Sequence, residues 1–288
     1  MSHQTANASA SGTFLIGGDL PVRRLGYGTM RLVGEGAWGE PADATEAHRV
    51  LRRAGELGVN LIDTADAYGP EIAERLIREA LYPYPAGLVI ATKGGITRQG
   101  PSKTEYVGRA GYLIQCLEMS LRRLKLDCID LYQLHRIDPR TPLEESLGAL
   151  KKAQEQGKIR HIGLSEVSPA EIEAAQKFVT VTTVQNRYSL ADRRHEETLA
   201  YCEQHSIGFF PWYPINAGKL LKPDQPEAQS LAQLAARHSA SVAQLSLAWL
   251  LQRSAVMLPI PGTSKVAHLE ENVAASNLKL RAEEWAAL

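Results

Sequence analysis

Four side chains able to hold, give or steer a proton occur in a regular succession along this chain. Asp63 and Tyr68 lie in NLIDTADAYG, Lys93 closes VIATKG, and His135 closes IDLYQLHR. A phenol has an ordinary pKa near 10, so it stays protonated at neutral pH but gives its proton slowly. A cation beside it lowers that pKa and makes it a better donor. Taken singly, each residue has an ordinary explanation: a capped turn, a packed loop, a solvated amine, a satisfied core histidine. All four at the ends of successive apolar segments point instead to one rim on which ionisable groups converge.

Those segments belong to a longer alternation. Short apolar runs read as strands at 25–30, 60–65, 88–93, 128–135, 161–165, 182–186, 208–213 and 256–261. Helical patterns lie between and after them, at 43–57, 71–81, 111–124, 142–156, 168–178, 195–204, 242–252 and 268–276. Ser168, Pro169 and Glu171 supply a cap, a first-turn proline and a nearby acid. Eight such units predict an α/β fold, a closed (β/α)8 TIM barrel with extra helices between strands seven and eight. Ahead of it, 13–16 and 22–25 flank Gly17, Gly18 and Asp19, which predicts a short hairpin appended to the N-terminus. A doubly wound open sheet would share the alternation, but Gly26, Gly28, Gly34, Gly36 and Gly39 never form the G-x-G-x-x-G turn before a helix.

The 288 residues suit one barrel domain, 13–288, preceded by a small polar tail at 1–12 expected to be flexible. The 32 basic and 32 acidic residues cancel, with no one-sign stretch to attract nucleic acid or an anionic membrane. No apolar run reaches the roughly 18 residues that a bilayer span needs, and the N-terminus has no secretory pattern, so a cytoplasmic location is expected. Cys116, Cys128 and Cys202 stand apart in periodic apolar surroundings and read as buried free thiols; no metal framework is expected.

From about Gly17 to Asn272 the chain closely resembles the aldo-keto reductase family, through an acid five residues before a tyrosine, a lysine and a histidine at consecutive strand ends. The resemblance implies that Asp63, Tyr68, Lys93 and His135 form the catalytic tetrad of an oxidoreductase that reduces an aldehyde or ketone with a nicotinamide cofactor. Hydride added to a carbonyl carbon leaves negative charge on oxygen, and Tyr68 would supply the proton there. Lys93 would be the cation beside it, Asp63 would hold Lys93, and His135 would direct the carbonyl.

The same resemblance assigns cofactor contacts to Gly28, Thr29, Met30 and Asp63, to Ser165 and Gln185 for the carboxamide, and to Trp212 for stacking on the nicotinamide, with Tyr213 and Pro214 following it. Glu166 stands where many members have asparagine and is a further candidate. After strand eight come Gly262, Thr263, Ser264, His268, Glu271 and Asn272, at a helix start that favours phosphate. Many relatives have cations where this chain has Gly262 and His268. Ser264, Lys265 and His268 are the substitutes, the loop residue Lys219 is expected to clasp the pyrophosphate, and NADP(H) is expected, with NAD(H) the alternative.

Substrate choice is expected to fall to loops after strands one, four and seven, with Trp38, Tyr68, His135 and Tyr213 facing a fairly open pocket. The segments GYGTMRL, TADAYGP and IPGTSKVAHLEEN most resemble bacterial members acting on pyridoxal-type or other ring-bearing carbonyls. The expected partner is a small carbonyl or alcohol, with the protein a monomer or weak oligomer. Two other readings are a cofactor-sensing regulatory subunit with slow turnover and a barrel hydrolase pairing Asp63 with Asp66. The hydrolase needs carboxylates facing each other about 5 Å apart, which neighbours on one strand end need not do.

Overall fold

The computed structural model describes residues 6–215, 226–286 and 288. After the antiparallel hairpin of β1 (Thr13–Ile16) and β2 (Leu20–Arg23), the barrel strands are β3 (Tyr27–Gly28), β4 (Leu61–Asp63), β5 (Val89–Gly94), β8 (Ile129–Leu134), β9 (Ile159–Ser165), β10 (Val181–Arg187) and β11 (Gly208–Trp212). They pair in parallel in chain order. The helices that return the chain are α1 (Ala44–Glu56), α2 (Ile72–Leu81), α3 (Ala110–Leu124), α4 (Leu143–Glu155), α5 (Pro169–Gln176) and α6 (Glu196–His205).

The eighth strand position is filled by 256–261, which has too few ladder bonds to form a regular strand. Phe209 N–H donates to Val256 O, Leu258 N–H to Phe209 O, and Gly26 N–H to Pro259 O, at 2.8, 2.8 and 2.9 Å. Bridges Phe209–Met257 and Gly28–Gly262 complete the seam. Pro259 and Pro261 have no N–H to give, which accounts for the irregular pairing. At this seam a Cβ on Gly28 would come within 2.7 Å of Ile260 O, and one on Gly262 within 2.8 Å of Gly28 O, so closure needs both glycines.

Beyond β11 lie the expected extra helices, α7 (Pro226–Arg237) and α8 (Val242–Arg253), and beyond the seam α9 (Val266–Ala274) and α10 (Ala282–Ala286). Helix starts follow the expected chemistry. Ser168 and Glu171 form a capping box with Pro169 in the first turn, Ser241 and Gln244 form another, and Asp43 caps α1. Each cap is worth about 1 kcal/mol.

Three expectations change. The hairpin is not an appendage: Ile16, Leu20 and Val22 are buried in one cluster with Leu61, Val89, Leu131, Phe210 and Leu258, so β1 and β2 plug the barrel's interior at the end opposite the strand C-termini. Residues 7–12 are not loose. Ala8–Ser11 form a single 3-10 turn capped by Asn7, Ala8 N–H donates to Leu57 O, and Ser11 Oγ accepts from Leu25 N–H. Third, β5 is followed by a second hairpin, β6 (Ile96–Gly100) and β7 (Lys103–Tyr106), absent from the sequence-based reading. Among the cysteines, Cys116 and Cys202 are buried and free as expected, whereas Cys128 is exposed. No helix of the described residues is long and apolar enough to cross a membrane.

Candidate active site

Strand register brings the four ionisable side chains together. Asp63 ends β4 opposite Ala91, and Lys93 lies opposite Gln133 two residues further along β5. The Lys93 ammonium, fully buried, donates to Asp63 Oδ1 and Oδ2 at 2.8 and 2.7 Å, to Thr64 O at 2.8 Å and to the Tyr68 hydroxyl at 3.4 Å. Asp63 is fixed from the other side by Gln133 and Gln185, whose Nε2 atoms donate to Oδ1 at 3.3 and 2.8 Å. Because an ammonium can only donate, the Tyr68 oxygen accepts from Lys93 and its own proton must be directed elsewhere. The Tyr68 and His135 rings meet edge to face, with centroids 6.0 Å apart, and both line one cleft of about 240 Å³.

Electrostatics assigns protonation states. Burial works against the Lys93 charge, but Asp63 and Tyr68 more than offset it, and the ammonium is held above its ordinary range. For Tyr68, burial raises the pKa and outweighs the opposing pull of Lys93 and Arg136, so the phenol lies above 10 rather than below it. The neighbouring cation acts in the expected direction but is not the larger effect. His135 falls well below its usual value through burial and the charges of Lys93, Arg136 and Arg98, which makes it a neutral imidazole at physiological pH. Its Nδ1 has no partner among the described residues.

One cleft wall carries residues expected to hold the nicotinamide. Ser165, Gln185, Trp212, Tyr213 and Pro214 line it, as do Gly28, Met30 and Gly262 across the seam. The Ser165 hydroxyl accepts from Arg136 Nη1 at 2.8 Å and keeps its own proton free among the described residues. Gln185 likewise keeps its amide oxygen. Glu166 faces away from this function: its Oε1 accepts from the Trp212 indole N–H at 2.5 Å and from Arg187 N–H at 2.7 Å. A flat ring with an unspent hydroxyl and amide beside it suits a carboxamide-bearing aromatic ring, so the donor set fits a nicotinamide.

Other sites fall outside the cleft. Thr29 is buried, with N–H and hydroxyl both donating to Asp63 O. Trp38, expected as a substrate wall, does not line the cleft; it is exposed and its backbone bridges to Gly69. Thr263 and Asn272 are buried, Glu271 is half-buried, and Ser264, Lys265 and His268 are exposed where α9 begins. The first N–H of α9, at Val266, is taken by Glu46 Oε1 at 3.1 Å, a carboxylate at the helix end expected to favour phosphate. Lys219 lies outside the described residues.

The sequence reading missed part of the cleft lining. Ile96, Arg98, Thr104 and Tyr106 of the β6–β7 hairpin line the cleft, with Arg31 and Arg136. The polar turn at Gly100, Pro101 and Ser102, between runs ITRQ and KTEY, was the available signal for this hairpin. Among the described residues no cluster of His, Cys, Asp and Glu is suited to a metal ion.

A closed parallel barrel with a buried lysine, carboxylate, phenol and neutral imidazole at its strand ends defines a barrel enzyme equipped for proton transfer. The chain belongs to the Aldo/keto reductase family, whose description matches residues 24–288. Members of that family are oxidoreductases. Similar proteins include an uncharacterized oxidoreductase of Schizosaccharomyces pombe, 48% identical over 282 residues, 98% of this chain and 90% of that protein. Pyridoxine 4-dehydrogenase of Escherichia coli is 40% identical over 280 residues, 95% of this chain and 96% of that protein. Among solved structures, a glycerol dehydrogenase from Gluconobacter oxydans superposes with a TM-score of 0.87 at 27% identity, covering 96% of this chain and 94% of that one. An aldo/keto reductase from Klebsiella pneumoniae in complex with NADP and acetate gives 0.83 at 28% identity, covering 96% and 93%.

Proposed function

We propose that this protein reversibly reduces an aldehyde or ketone to an alcohol with NADP(H), and that Tyr68 is the general acid. The observation that carries the reading is the Tyr68 hydroxyl 3.4 Å from the Lys93 ammonium, at a cleft it shares with neutral His135. When bound, the nicotinamide supplies the hydride. Trp212, Ser165 and Gln185 hold its ring and carboxamide, and Glu271 and Asn272 serve the adenine end. Tyr68 gives its proton to the carbonyl oxygen as charge develops there, and the Lys93 charge limits the cost of the phenolate left behind. As a neutral imidazole, His135 can donate one hydrogen bond to orient that oxygen without competing for the proton. In the oxidative direction the Tyr68 phenolate accepts the alcohol proton.

NADP(H) preference is supported by the cofactors named in the Klebsiella structures, in complex with NADP and with NADPH. Ser264, Lys265 and His268 are the groups proposed to meet the additional phosphate. Glu46 at the start of α9 opposes it, which keeps NAD(H) as the alternative. The pyridoxine 4-dehydrogenase relative makes ring-bearing carbonyls the first substrates to try. The protein is proposed to work as one barrel domain in the cytoplasm, as a monomer or weak oligomer.

Tyr68→Phe tests the assignment. Turnover of an aldehyde should fall by about 100- to 10,000-fold, the usual worth of a positioned proton donor, while NADPH affinity stays as in the parent. Retained turnover with normal cofactor binding would remove Tyr68 from the role. Cofactor titrations followed by tryptophan fluorescence decide the nucleotide, with tighter NADH overturning the stated preference.

A further inference from the structure

The cleft holds more positive charge than carbonyl reduction requires. Arg98 and Arg136 line it and are half-buried, and neither has a carboxylate within 4 Å among the described residues. Both are held by neutral acceptors. Arg98 Nε donates to Ala67 O at 2.5 Å and Nη1 to Gly36 O at 3.2 Å. Arg136 Nη1 donates to His135 O at 2.6 Å and Ser165 Oγ at 2.8 Å. A guanidinium has five N–H groups, so each arginine keeps three with no acceptor among the described residues.

Among the described residues no acid in the cleft balances them. Asp63 is the one carboxylate among the described residues that lines it, and it is spent on Lys93, Gln133 and Gln185. On the hairpin, Glu105 is turned to Arg140 and Gln99. Half-buried cations without a counter-charge are a standing electrostatic cost in a folded protein. Their fixed forks match the geometry of carboxylate and phosphate oxygens, which can bind a guanidinium through two parallel hydrogen bonds. The charges reach the reacting groups: Arg136 lowers the Tyr68 pKa, and both arginines hold His135 neutral.

We propose that the substrate of this cleft is a carbonyl compound carrying an oxyanionic group, a carboxylate or a phosphate, bound by Arg98 and Arg136. Ile96, Tyr106, Tyr213 and Ile215 provide apolar and aromatic wall for the body between carbonyl and anion. This deepens the proposed carbonyl reduction and rests on it. Charge at one end of the substrate then fixes which end reaches Tyr68.

Matched pairs test the idea. Para-formylbenzoate and its methyl ester share a reacting group and differ in charge; pyridoxal phosphate and pyridoxal do the same for phosphate. With NADPH, kcat/KM should favour the anionic member of at least one pair by about 10- to 100-fold, the worth of charge-assisted hydrogen bonds, and the pair that responds identifies the anion. Arg98→Met and Arg136→Met should each lower that ratio about 10-fold, and Arg98→Lys, which keeps charge and loses the fork, should lower it less. Equal or better turnover of both neutral members overturns the proposal. So does a weakened NADPH affinity in the arginine variants with the ratio unchanged, since the arginines would then serve the cofactor. Tryptophan quenching by the corresponding carboxylated and esterified benzyl alcohols gives the same comparison without turnover. Arg98-dependent binding of the carboxylate, with no reduction of any carbonyl, would support the anion site and remove the reaction.

Discussion

Glu166 accepts the indole N–H of Trp212 at 2.5 Å, across the tops of β9 and β11. The same Oε1 takes the backbone N–H of Arg187, and Glu166 itself sits at a φ of +57°, a left-handed conformation uncommon outside glycine. Arg187 lies over the Trp212 ring, 5.7 Å from its centroid. The carboxylate therefore orients the platform proposed for the nicotinamide and need not touch the cofactor. Glu166→Ala should weaken NADPH binding about 10-fold by freeing the ring, while Glu166→Gln, which keeps an acceptor, should retain most of the affinity. Fluorescence titration reads this directly through Trp212, and equal affinity in all three proteins would deny Glu166 a positioning role.

The protonation states predict an asymmetric pH response. Tyr68 is raised above 10 by burial, so it remains a protonated donor throughout the neutral range, and reduction should show no loss from phenol ionisation below pH about 9. Oxidation needs the phenolate, and its kcat/KM should climb with pH through that whole range. His135 is lowered well below 6.5 by burial and neighbouring cations, so no histidine titration should appear in the reductive profile at pH about 6 to 7. Steady-state profiles in both directions check this; a reductive limb near pH 6.5 that His135→Gln abolishes would contradict a neutral imidazole.

Behind the site, Asp66 is buried and raised to about 7, by burial first and then by the nearby Glu74 charge. Its Oδ1 has no hydrogen-bond partner among the described residues. The folded carboxyl keeps its proton to about pH 7 while the unfolded one loses it near 3.8, so the folded state binds the extra proton in that window. Stability from this group is present at low pH and is lost as pH rises through the folded value, by up to about 1.4 kcal/mol per pH unit. Asp66→Asn should therefore gain stability over the parent as pH rises from about 4 to 7, with the difference level above that window. Urea unfolding across the range would show no such trend if the carboxyl ionises normally.

The plug formed by β1 and β2 should matter to the whole barrel. Ile16 is fully buried against the inward-facing residues of the strands. Ile16→Ala removes apolar contact and leaves a cavity, and should cost about 2 to 5 kcal/mol in equilibrium unfolding. A loss below about 1 kcal/mol would return the hairpin to the status of a surface appendage.

Much of the molecule was legible along the chain because its determinants are local. Strand and helix succession is written in periodicity, and seven of the eight expected barrel strands form where the apolar runs stand. The eighth is the seam at 256–261, where two prolines remove the donors that a regular ladder needs. The four residues were legible because Asp63, Lys93 and His135 stand at or just past strand ends and Tyr68 in the turn that follows β4, and parallel strands in register deliver their ends to one rim. The second hairpin was harder to see. Its outer strand, Lys103–Tyr106, is exposed along its length, so no buried apolar face marks it.

The sequence by itself determined the barrel and the order of the four ionisable residues proposed to handle the proton, since these follow from side-chain period and from position at or just after strand ends. Tertiary structure decided what those residues experience. Burial outweighs Lys93 at Tyr68, Glu166 turns to Trp212 instead of toward the ligand, and Arg98 and Arg136, 38 positions apart in sequence, line the same cleft without a counter-ion among the described residues. Each depends on desolvation and on distances between segments far apart in the chain. Such quantities exist only once the barrel has closed.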